Sequence, residues 1–174
     1  MVAVSELNGV ASLYKLFETL ATEKNWVSRH DKENYECMHE LWYLFCVIWS
    51  VCASVDEDGR KKIDNYIREI EGTFPNKDSI YAYFLDVKNK TWAHLEDKLR
   101  GGWRCQPNLP FYRIIVPILL TVRYDFLVNT LIQAVHPVLM VGPVGTGKTS
   151  VAQAVLGKLE VQRADHQHGS PDFI

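Results

Sequence analysis

Residues 138–149 read Val-Leu-Met-Val-Gly-Pro-Val-Gly-Thr-Gly-Lys-Thr: four apolar residues, a glycine-rich turn and the opening of a helical pattern. No other stretch restricts the backbone so tightly. Gly142, four intervening residues and then Gly147-Lys148-Thr149 satisfy the spacing of a phosphate-binding loop. Lacking Cβ atoms, Gly142, Gly145 and Gly147 let the chain take unusual dihedrals and press N–H groups against phosphate oxygens. Lys148 supplies a point charge for β- and γ-phosphates, and the Thr149 hydroxyl is the candidate ligand for Mg²⁺. A helix expected from Thr149 adds unpaired N–H groups and the positive end of its dipole. Pro143, Val144 and Thr146 complete the loop, and Ser150 follows in the first helical turn.

Composition narrows the partners. The 174 residues are 47% apolar and 23% charged with a net charge of −2, ordinary for a globular chain and without the basic excess that nucleic-acid binding asks for. The uncharged run 41–55 is 15 residues long, short of the roughly 20 a membrane helix needs, so a buried helix is expected and no membrane partner. The start, Met-Val-Ala-Val-Ser-Glu-Leu, has neither the basic region nor the apolar core of a secretory signal. Cys37, Cys46, Cys52 and Cys105 form no Cys-x-x-Cys pair, and the first three lie in or beside the apolar run, where reduced packing thiols are expected. Cys37 with His39 lacks the second ligand pair of a zinc site.

Periodicity predicts a largely helical first part. Val10, Leu13, Leu16, Phe17 and Leu20 make an inward stripe on a helix over 7–21. Asp31 is a candidate cap for a helix that becomes apolar on every face up to residue 55. Residues 57–71 form a third helix with Ile63, Tyr66, Ile67 and Ile70 inward and Arg60, Lys61, Lys62, Asp64, Arg68 and Glu69 solvated. Residues 78–87 suit a strand or extended segment, 88–90 a turn, and 92–99 a short helix or an arm packing through Trp92 and Leu95. The Gly-Gly and prolines of 101–110 read as a linker. Then come extended backbone near Val116 and Pro117, a helix over 121–134 with Val122, Phe126, Leu127, Leu131 and Val135 inward, the strand 138–141, and a helix over 149–159 with Val151, Ala152, Val155, Leu156 and Leu159 inward. Residues 161–174, with His166 and His168, lose periodicity and are expected to be disordered.

Thr121-Val122-Arg123-Tyr124, Phe126-Leu127-Val128 and the run from Pro137 to Ser150 resemble dynein heavy chains, most closely the entry into the third AAA+ module of axonemal dyneins. Glu40 to Phe45, then Trp49 to Asp64, look like the helical lid of the second module, and 81–92 with Trp103 like the connection between modules. The resemblance covers residues 5–160. It implies a mainly α fold with a small α/β part: a lid over 1–100 with a short extended insertion, the 101–110 linker, and the start of a P-loop AAA+ module over 111–160. It further implies ATP and Mg²⁺ at Gly142, Pro143, Val144, Gly145, Thr146, Gly147, Lys148, Thr149 and Ser150, with Val116 and Pro117 flanking the adenine. The implied setting is a microtubule motor of the ciliary axoneme, in the cytoplasm and cytoskeleton, whose partners are neighbouring AAA+ modules, intermediate and light chains, and microtubules.

Two departures stand against the family pattern. Ile118-Leu119-Leu120 replaces the polar residues before Thr121, and no apolar strand ending in a Walker-B Asp-Asp or Asp-Glu follows Thr149. A hydrolytic site needs that carboxylate, a sensor and an arginine from a neighbour, so these residues alone are expected not to hydrolyse ATP. The competing readings are a small stand-alone nucleotide kinase, which would need substrate residues downstream of the loop, and a non-catalytic interaction module packing through its helical part.

Overall fold

Ser5 opens the first helix by supplying an acceptor the backbone lacks: its Oγ accepts from Asn8 N at 3.3 Å and caps α1, Glu6–Leu20. The computed structural model describes residues 5–99, 114, 116 and 118–168. The chain forms two compact units, Met1–Gly101 and Gly102–Ile174. The inward stripe of α1 is Gly9, Leu16 and Leu20. Val10, expected inside, is 59% exposed, because one step along a helix turns it about 100° from Gly9.

Asp31 caps α2, Lys32–Ser50: its carboxylate accepts from Asn34 N at 3.3 Å and from Asn34 Nδ2 at 2.7 Å. Met38, Leu41, Trp42, Phe45, Cys46 and Ile48 are buried at helical spacing. The helix is not buried all round, since Tyr43 stands 51% exposed. Phe17 of α1 meets His39 and Tyr43 edge-on at 5.1 and 5.9 Å. In the α1–α2 connection, Asn25 bridges the two helices: its Nδ2 donates to Leu20 O at 2.7 Å and its carbonyl accepts from Trp42 Nε1 at 3.2 Å. One bond closes the end of α1 and the other satisfies a buried indole. By length and composition the span Lys32–Ser54 could cross a membrane, since the helix begins well before the uncharged run, although a third of it is buried within the unit. Among the described cysteines, Cys46 is buried, Cys52 is partly buried and Cys37 is exposed on the opposite face of α2; Cys105 lies outside the described residues. Among the described residues, no cluster of three or more His, Cys, Asp or Glu could hold a metal ion.

Asp56 caps α3, Glu57–Ile70, accepting from Gly59 N at 2.8 Å. A Cβ at Gly59 would lie 2.9 Å from Asp56 Oδ1, so the tight cap requires glycine there. Only Ile67 of the expected stripe is buried; Tyr66 and Ile70 are 61% and 66% exposed. The charged residues, expected to be solvated, do much of the holding. Asp64 Oδ1 accepts from Ile80 N at 2.7 Å and from Arg68 Nε at 3.2 Å. Arg68 Nη1 and Nη2 donate to Pro75 O and Asp78 O at 2.7 and 2.6 Å. Arg60 Nη2 donates to Ala53 O at 2.8 Å, and its guanidinium lies 5.2 Å from the Tyr81 ring centre. Loop carbonyls with no ladder to pair with recruit the planar donors of arginine.

β1, Tyr83–Asp86, pairs antiparallel with β2, Thr91–His94, in the register Tyr83↔His94 and Leu85↔Trp92, and α4, Leu95–Leu99, follows. The stretch 92–99, expected to be a short helix or an arm, is a strand to His94 and then a helix. Asp86 closes the hairpin, accepting from Lys88 N at 3.0 Å and Asn89 Nδ2 at 2.7 Å. The Asn89 hydrogen bond holds this carboxyl below its usual range. Phe74 stacks on Trp92 at 4.2 Å, and Trp92 Nε1 donates to Thr73 Oγ1 at 3.0 Å. Tyr81, 3% exposed, donates its hydroxyl to Cys52 O at 3.0 Å and meets Trp49 edge-on at 5.9 Å.

In the second unit, Thr121 Oγ1 receives Ile118 N and donates to Ile118 O, both at 2.8 Å, starting α5, Leu119–Gln133. The helix ends in a double turn: Val135 N donates to Ile132 O and His136 N to Leu131 O, each at 2.9 Å. Val135 takes the left-handed conformation at φ 62° that such an end demands, and is 88% exposed instead of inward. Pro137 follows, where a helix cannot continue. Val128 of α5 with Val151 and Val155 of α6, Lys148–His168, form the core, flanked by Ile132, Val138, Met140 and Leu159. Leu156 is 54% exposed, not inward. Residues 138–141 are extended but make no strand: among the described residues no ladder partner pairs with them. The stretch expected to be disordered is helical through His168. Extending an existing helix gains one bond per residue fixed, without the cost of nucleation.

Candidate functional site

Alternation places the loop. Val138 and Met140 pack on the α5–α6 core, whereas Leu139 and Val141 are 87% and 57% exposed. The chain thus reaches Gly142 anchored on one side. Gly145 and Gly147 then adopt φ of 84° and 77°, values that are costly for any residue with a Cβ. α6 begins at Lys148, one residue earlier than expected.

This geometry leaves donors open. Among the described residues, no backbone carbonyl accepts from the N–H of Val144, Gly145, Thr146 or Gly147. Lys148, Thr149 and Ser150 occupy the first turn of α6, where N–H groups have no intrahelical acceptor, and Val151 N is the first to find one, Gly147 O at 3.0 Å. Gly147 brings no side chain to cap the helix. An anion seated over the turn would cap it instead.

The Lys148 ammonium sits inside the turn. Its Nζ donates to Gly142 O at 2.9 Å, Pro143 O at 2.5 Å and Thr146 Oγ1 at 3.1 Å, and Thr146 Oγ1 donates to Pro143 O at 2.9 Å. A Cβ on Gly142 would lie 3.4 Å from Thr146 Oγ1 and 4.0 Å from the ammonium, in ordinary contact with both. Thr149 and Ser150 are exposed beside it. The residues fit a polyphosphate with its divalent cation: open N–H donors, the Lys148 ammonium and an exposed Thr149 hydroxyl in the first helical turn.

Residues 142–150 are thus brought together as one surface. Val116 is 55% exposed, and Pro117 lies outside the described residues. The internal network of Thr146, Pro143 and Lys148 was not anticipated. Its only trace in the sequence is a hydroxyl residue between two glycines.

Residues 1–97 match the family model of the dynein heavy chain AAA lid domain, and residues 103–168 match that of the P-loop containing dynein motor region. The chain is 58% identical over 159 residues to dynein axonemal heavy chain 2 of Mus musculus, an alignment covering 91% of this chain and 4% of that relative. Against dynein axonemal heavy chain 2 of Homo sapiens it is 56% identical over 159 residues, again covering 91% and 4%. It is 39% identical over 124 residues to the dynein-1-beta heavy chain of the flagellar inner arm I1 complex of Chlamydomonas reinhardtii, covering 71% of this chain and 3% of that one.

Proposed function

The chain belongs to the dynein heavy chain family, and on that premise we propose that its loop binds ATP with Mg²⁺ inside an axonemal microtubule motor. The observation that carries this reading is the turn at Gly145 and Gly147, which opens a row of N–H groups around the Lys148 ammonium. In the proposed complex, the N–H groups from Val144 to Thr149 donate to phosphate oxygens and Lys148 exchanges its loop acceptors for them. Thr149 and Ser150 lie at the helix start, with the Thr149 hydroxyl as the Mg²⁺ ligand. When bound, Mg²⁺ neutralises phosphate charge. Val116 and Pro117 are proposed to flank the base.

The lid-like unit supports a place among further AAA+ modules. Leu7, Val10 and Tyr14 stand 77%, 59% and 65% exposed at helical spacing on α1, a stripe suited to packing on a neighbour. Microtubules, intermediate and light chains, and the cytoskeleton of the ciliary axoneme are the partners and location this reading carries. The chain spans 4% of the length of its mammalian relatives, so motor activity is proposed of the assembly and not of these residues alone.

Titration with a fluorescent ATP analogue tests the site. Weak binding that needs Mg²⁺ and disappears in Lys148→Ala is expected; binding unchanged by that substitution refutes the assignment.

A further inference from the structure

Resting on the phosphate-binding reading above, we infer that Thr146 is a positioning residue that holds Lys148 in a latched state, which a polyphosphate must open before it can bind. All three ammonium protons of Lys148 have acceptors within the loop: Gly142 O at 2.9 Å, Pro143 O at 2.5 Å and Thr146 Oγ1 at 3.1 Å. Two of these are carbonyls of the turn itself and cannot be removed by substitution. The third is a side chain, and it is held in turn by its own bond to Pro143 O at 2.9 Å. Thr146 therefore does two things at once. It bonds back to Pro143 O, and it offers the lysine an acceptor that an apolar side chain could not supply.

The consequence for binding has a definite sign. A ligand meets only the fraction of molecules whose lysine is free, so its apparent affinity is reduced by that fraction. Removing the hydroxyl shifts the population toward the free lysine and tightens phosphate binding. A hydroxyl that served as a direct ligand contact would have the opposite effect. One hydrogen bond of this kind corresponds to about a two- to tenfold change in the equilibrium.

Two measurements on the 174-residue chain separate the latch from the site it guards. Reductive methylation without nucleotide, read by peptide mass spectrometry, should modify Lys148 about two- to tenfold faster in Thr146→Ala than in wild type. Thr146→Ser should restore the wild-type rate, and equal rates in all three proteins overturn the latch. With a fluorescent ATP analogue and Mg²⁺ as probe, Thr146→Ala should bind about two- to tenfold tighter and Thr146→Ser like wild type. Weaker binding by Thr146→Ala overturns the latch in favour of a ligand contact. A methylation difference without analogue binding by any variant supports the latch and refutes the phosphate-site reading. Thr146→Val, close to threonine in shape, repeats the test should the alanine variant lose its helical circular dichroism.

Discussion

Val135→Gly should stabilise the second unit, and the size of the gain follows from the turn that aims the chain at the phosphate loop. Val135 stands at φ 62° in the position after α5 where helices most often place glycine. A Cβ in that conformation costs about 1–2 kcal/mol. Because the side chain is 88% exposed, its removal sacrifices almost no burial. Glycine costs back about 0.5–1 kcal/mol through the greater freedom of the unfolded chain. Taking the middle of both ranges leaves a net gain of about 0.75 kcal/mol, or roughly a three- to fourfold rise in protection. Hydrogen exchange of the α5 and α6 amides, followed by mass spectrometry, reads this directly, because both helices share the core of Val128, Val151 and Val155. Val135→Ala is the control: it keeps a Cβ, and with it most of the strain, so it should gain much less. Protection in the glycine variant no greater than in the alanine variant would refute the assignment of strain to this turn.

In the first unit, Arg68→Ala removes donors to Asp64, Pro75 and Asp78 and should cost about 2–3 kcal/mol in urea unfolding followed by tryptophan fluorescence; a loss below about 0.5 kcal/mol would show the clamp to be ornamental. Alkaline stability should fall early, because burial pushes Cys46 from 9.0 to about 12 and Tyr81 from 10.0 to about 12. Both folded values are raised, so their contribution is complete below the unfolded pKa and is lost as pH climbs from about 9 toward 12. Cys46→Ala with Tyr81→Phe should flatten that part of the stability curve, and an unchanged slope would place the titrating groups elsewhere. The 174 residues alone should show no ATP turnover above background, since no hydrolytic carboxylate follows the loop in them. Turnover abolished by Lys148→Ala would contradict this.

Some of the local chemistry that acts over a few residues was legible in the sequence. The cap at Asp31 and the glycine pattern from Gly142 to Gly147 act within two helical turns, so the order of residue types suffices to read them. What required tertiary structure was decided by distant partners. Arg68 and Asp64 look like solvated charges until the loop at 75–80 folds back onto them. Trp92 joins a strand because Leu85 pairs with it and Phe74 stacks on it. Residues 138–141 carry a strand's alternation without a strand's hydrogen bonds, because a ladder needs a second chain segment beside it. At the site itself, the sequence determined which atoms could meet a phosphate. Only the folded loop decided where the Lys148 ammonium rests without one, because three acceptors converge on it and two of them are backbone carbonyls whose direction no residue type specifies.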